Sequence, residues 1–84
     1  MTIINHFYWR NTLIIQFSDE FRDNCYIKCF EIDKEWFAED CRIILNNGEI
    51  SRIETIGHMG RIGPTLLKEI LIIHRKEKLE KLLS

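Results

Sequence analysis

The chain has 84 residues, 45% of them hydrophobic and 30% charged, with one proline and four glycines. That length holds a single hydrophobic core and excludes a second domain, and the composition excludes a disordered or fibrous chain. The formal net charge of −1 argues against a strongly basic nucleic-acid binder, yet it conceals a split: residues 18–40 carry eight acids against three bases, while residues from 42 onward carry eight bases against five acids.

Residues 3–10 and 12–17 are rich in β-branched and aromatic side chains, with Asn11 between them, a pattern that predicts a hairpin. Period-two reading places Phe7 and Trp9 on one face, and Leu13, Ile15 and Phe17 on one face. The polar stretch Ser18–Asn24 predicts a loop, and residues 25–32 a third strand. Residues 33–46 fit two readings. One is an amphipathic helix capped by Asp33, with Phe37, Cys41, Ile44 and Leu45 on one side. The other makes Asn47-Gly48 a type I′ turn between a strand at 41–46 and one at 49–56, and this second reading is favoured. Pro64 suits the first turn of a helix, after which Leu66, Leu67, Ile70, Leu71 and Ile73 follow helical spacing. The expected fold is a single α+β domain over 1–84, an antiparallel sheet of four to five strands packed against a C-terminal α-helix.

Gly57-His58-Met59-Gly60-Arg61-Ile62-Gly63 stands between a predicted strand and that helix, where backbone amides can cradle a phosphate. Gly57, His58, Gly60, Arg61 and Gly63 are the candidate anion-binding residues. The loop misses the dinucleotide and Walker fingerprints. Gly60 to Ile70 looks a little like the acetyl-CoA loop of GNAT acetyltransferases, which implies acyl-CoA binding. However, Gly60 and Gly63 are one residue too far apart, and Pro64 removes an amide. Ile56-Gly57-His58-Met59-Gly60 resembles the I-G-x-x-G loop of KH domains, which implies nucleic-acid binding, although Gly63 stands where KH loops have an apolar residue. The competing account is a turn whose glycines serve the backbone alone.

No serine, threonine or cysteine has a neighbour that would make it a nucleophile, so no catalytic residue and no cofactor is expected. Cys25 and Cys29, about 13 Å apart along a strand, are too far apart to share a metal. Residues 1–6 lack the features of a secretory leader, and no run approaches the roughly 20 apolar residues that cross a bilayer. A cytoplasmic protein with reduced thiols and no membrane partner is the expectation. A core this small also leaves room for homodimerisation.

The aromatic pair Trp36-Phe37 lies among Asp33, Glu35, Glu39 and Asp40. An aromatic anchor in an acidic rim suits a protein partner with a basic surface, such as a nucleic-acid-binding protein. The expected function is a small non-catalytic binding module of inhibitor type. Phage anti-defence proteins (anti-CRISPR proteins among them), antitoxins and immunity proteins are similar in size and charge, though no motif links the chain to them. The alternatives are a nucleotide or acyl-CoA at the 57–63 loop, or nucleic acid held by Arg52, Arg61, Lys68, Arg75, Lys76, Lys78 and Lys81.

Overall fold

A computed structural model describes residues 1–83. The strands are β1 (Thr2–Trp9), β2 (Thr12–Ser18), β3 (Cys25–Ile32), β4 (Glu35–Asn46), β5 (Glu49–Thr55) and the short β6 (Gly60–Arg61), and α1 spans Pro64–Leu83. The first five form an antiparallel meander in chain order, and β6 pairs with β4. The fold is therefore α+β, an antiparallel sheet with a C-terminal helix.

Three two-residue turns build the meander. Arg10-Asn11, Asp33-Lys34 and Asn47-Gly48 all have positive φ at both positions, between 49° and 80°. Paired positive φ values match the type I′ turn, whose twist suits that of the flanking strands. The hairpin reading of 33–46 thus holds. The strand is longer than expected because Asp33-Lys34 is itself a turn, so β4 starts at Glu35 and runs 12 residues.

Such a long strand has two neighbours along one edge. Cys41–Asn46 pair with β5, and Phe37 and Ala38 pair with Arg61 and Gly60 of β6. The chain leaves and rejoins this edge through Ile56 N–H to the Asp40 carbonyl (2.8 Å) and Ile62 N–H to the Trp36 carbonyl (3.1 Å). Between them it crosses Asp40 so closely that a Cβ on Gly57 would lie 2.9 Å from the Asp40 Cβ. Glycine is required there for close approach.

Leu13, Ile15 and Phe17 of β2 and Ile27 and Cys29 of β3 form the core with Ile70 of α1, flanked by Ile3, Tyr8, Trp36, Ala38, Leu66 and Ile73. Each large side chain buried here contributes roughly 1.5–3 kcal/mol of transfer free energy. Alternation breaks once in β1, where the register shifts between Ile3 and Asn5. The extra residue reverses the facing of everything after it, so Tyr8 pairs with core-facing Leu13 and Phe7 with Ile14. Phe7 and Trp9 do share a face, as expected, but it is the face away from α1.

Among the described residues no further element covers that second face, yet Ile14 is fully buried on it and Cys41 nearly so. The sheet curls enough for Trp9 of β1 and Ile53 of β5 to line one small cleft with Thr12, Ile14 and Lys28. Phe30 stacks on Phe37 (centroids 6.2 Å apart) on the same side. A cavity of about 330 Å³ lies between β1 and the later turns of α1. The Tyr8 hydroxyl and the His74 Nδ1 are buried under the helix without a hydrogen-bond partner among the described residues.

Candidate functional site

The loop from Asp19 to Asn24 joins β2 to β3, and its own side chains hold it in shape. The Asp19 carboxylate accepts hydrogen bonds from the Phe21 (2.9 Å) and Arg22 (2.7 Å) amides, and Asp19 N–H donates to the Arg22 carbonyl (2.7 Å). This is an Asx turn, in which the side chain imitates a backbone acceptor. Ser18 Oγ donates to Asp23 (2.7 Å) and accepts from the Asn24 amide (3.1 Å), while Gln16 Nε2 donates to Asn24 Oδ1 (2.8 Å).

Arg22 anchors the loop to the domain. Its guanidinium lies over the Phe17 ring (4.9 Å) and pairs with Asp40 (3.1 Å) and Asp19 (3.6 Å). Phe21 has backbone contacts on both sides, and its side chain projects into solvent, 87% exposed. Ile56 lies beside the Arg22–Asp40 pair in one cavity of about 410 Å³, and Met1 and His58 lie beside it in another. Glu20 and Asp23 have no cation partner among the described residues, so the projecting ring has an acidic surround.

Asp19's carboxyl is held below its ordinary value, chiefly by the Phe21 amide and further by the Arg22 amide and guanidinium. A carboxyl whose pKa is depressed by folding stabilises the fold above its unfolded value, and that contribution is lost as pH falls through the folded value. We therefore expect the loop to loosen only below the usual carboxylate range. The Phe21 and Arg22 amide resonances should titrate together with a midpoint under 3.8; a midpoint at or above that value counts against the turn.

The six residues expected to form a partner surface are not gathered in one patch. Asp33 sits in the exposed β3–β4 turn, and Glu35 pairs with Arg61 (3.0 Å). Trp36 turns toward α1 and meets His74 edge-on (5.3 Å). Phe37 and Glu39 lie on the other face, against Phe30 and 4.0 Å from Lys28. Asp40 alone reaches the loop described above. Trp36 and Phe37 point to opposite faces because they are consecutive strand residues. Phe21 carries the exposed aromatic character that the sequence pattern assigns to that pair. Its signal in the sequence is a lone aromatic in Ser18-Asp19-Glu20-Phe21-Arg22-Asp23-Asn24, where Asp19 precedes it by the spacing of an Asx turn.

The glycine loop is bound into the sheet. Gly60 and Arg61 are β6, Arg61 is held by Glu35, and the Asp40 carboxylate stands against Gly57. An anion over Gly57 would meet a carboxylate. His58 and Gly63 are exposed. Of the proposed nucleic-acid contacts, Arg52 pairs with Glu54 (2.7 Å), Arg61 with Glu35 (3.0 Å) and Lys81 with Glu77 (3.7 Å). Lys68, Arg75, Lys76 and Lys78 remain, all on α1.

Among the described residues no His, Cys, Asp and Glu side chains gather as a metal-holding group. Burial pushes the Cys29 thiol up to about 12 and the Cys41 thiol to about 11, which suits packing and disfavours thiolate chemistry. Among the described residues no helix is long and apolar enough to cross a membrane. No protein-family model matches this chain, and no curated protein or solved structure matches it either.

Proposed function

We propose that this chain is a non-catalytic, inhibitor-type binding module whose acidic, aromatic segment docks on a basic protein surface, with the 19–24 loop as the point of contact. The observation that carries the reading is Phe21, 87% exposed on a loop fixed by its own hydrogen bonds. A large apolar ring in water offers roughly 2 kcal/mol or more on transfer to a partner's pocket. A pinned loop loses little conformational entropy when it binds. Glu20 and Asp23 supply the charge that steers a basic partner.

The test is affinity capture from the source cells with three forms of the protein, analysed by quantitative mass spectrometry. The wild type and a helix-flank charge control, Glu69→Lys with Glu80→Lys, are expected to retain the same basic protein. Glu20→Lys with Asp23→Lys should lose it while keeping the wild-type circular dichroism. Equal capture by all three forms overturns the reading.

A further inference from the structure

The core takes only Ile70 of α1 to full burial, with Leu66 and Ile73 packed at its margin. On the far side Leu71, Leu79, Leu82 and Leu83 are 42–82% exposed. Lys68, Arg75 and Lys78 are also exposed there and have no acidic partner among the described residues. The three acids of the helix all line cavities between its flank and β1. Glu69 lines a cavity with Met1 and Ile3, and Glu77 and Glu80 line another with His6 and Tyr8, to which Ile72 and Lys76 also belong. The outer face of α1 therefore presents large aliphatic and cationic side chains and no acid.

A second copy of the same face is a poor match, because two such faces would bring like charges together. Nucleic acid would satisfy the cations and leave four large aliphatic side chains without apolar cover. An anionic lipid surface satisfies both, giving phosphates to the cations and the acyl boundary to the aliphatic groups.

We propose that α1 lies along an anionic lipid surface, with Leu71, Leu79, Leu82 and Leu83 at the acyl boundary and Lys68, Arg75 and Lys78 on lipid phosphates. This is a helix lying on a bilayer, and it differs from the membrane span that the sequence pattern excludes. Each cation near such a surface contributes about 1 kcal/mol. The opposing charge is weaker at that plane. Residues before Pro64 hold ten acids against seven bases, spread through a molecule 24 Å across its thinnest dimension, against a Debye length of about 8 Å at physiological salt. The proposal does not depend on the Phe21 loop.

The test is flotation of the whole protein with vesicles of phosphatidylcholine alone and of equimolar phosphatidylcholine and phosphatidylglycerol. Binding is expected only to the mixed vesicles and should weaken steeply with salt. Arg75→Glu with Lys78→Glu should reduce it about thirtyfold or more. Leu79→Gln with Leu82→Gln should also abolish flotation, and because all four side chains are exposed both variants should keep the native circular dichroism. No binding to the mixed vesicles at low salt overturns the proposal, as does unchanged binding by either folded variant. A dimer in light scattering that the leucine variant dissolves assigns the face to a second copy, and the lipid assignment then falls.

Discussion

Phe17→Ala is expected to destabilise the domain by about 3–5 kcal/mol, the range for removing a fully buried aromatic ring from a core that cannot close around the gap. Phe17 has no exposed surface and sits between Ile15, Ile27 and Ile70, where the sheet meets the helix. Its ring also carries the Arg22 guanidinium at 4.9 Å, so truncation removes the floor on which the 19–24 loop rests. Domains of this size have stabilities near the low end of about 5–15 kcal/mol. The variant should therefore be largely unfolded at 37 °C. In urea, with a slope of about 1–1.5 kcal/mol per molar for a chain this short, its midpoint should fall by about 3 M. Phe17→Leu keeps most of the volume and should lose only about 1–1.5 kcal/mol. A loss below about 1 kcal/mol for the alanine variant would show that Phe17 does not join sheet to helix.

Phe17 was legible as a core residue because Leu13, Ile15 and Phe17 follow a period of two, and all three reach the core, while Ile14 between them is buried on the opposite face. In β1 the same periodicity puts Phe7 and Trp9 together, but which face they take was not legible, since a single inserted residue near Ile4 reverses the strand's facing and nothing in Ile3-Ile4-Asn5 marks it. Turn chemistry was equally uneven. Asn47-Gly48 announces a type I′ turn by composition, whereas Arg10-Asn11 and Asp33-Lys34 place arginine, aspartate and lysine at positive φ, where their residue types give little signal. The helix start was readable from Pro64, while the value of its outer leucines was not. Helical spacing treats all apolar residues alike, and only packing separates Ile70 from Leu79.

Charge shows the same limit at the candidate site. Residues 31–40 read as an acidic patch, but strand pairing sets Glu39 against Lys28, and the return of the chain sets Arg61 against Glu35. Those partners are 11 and 26 residues away in sequence, beyond the reach of local pattern. The acids left without a cation at the 19–24 loop are Glu20 and Asp23, whose neighbours in sequence give no reason to single them out.

Phe21→Ala is expected to weaken partner binding by about 2–4 kcal/mol, on the order of thirtyfold to a thousandfold, while leaving stability within about 0.5 kcal/mol of wild type. The two numbers separate because the ring makes its contacts with solvent in the free protein and its backbone holds the loop. Alanine at position 21 keeps the amide that donates to Asp19, so the Asx turn persists and the loss falls on the interface alone. Asp19→Ala supplies the converse case. It leaves the ring and removes the acceptor for two amides, so binding should weaken through loss of preorganisation, with faster amide exchange at Phe21 and Arg22. Isothermal titration of the captured partner with the two variants, alongside hydrogen exchange of the free proteins, distinguishes the effects. If Phe21→Ala binds as tightly as wild type, the exposed ring is not the anchor. The acidic segment would then have to engage its partner through Asp33 and the β3–β4 turn at the opposite end of the sheet.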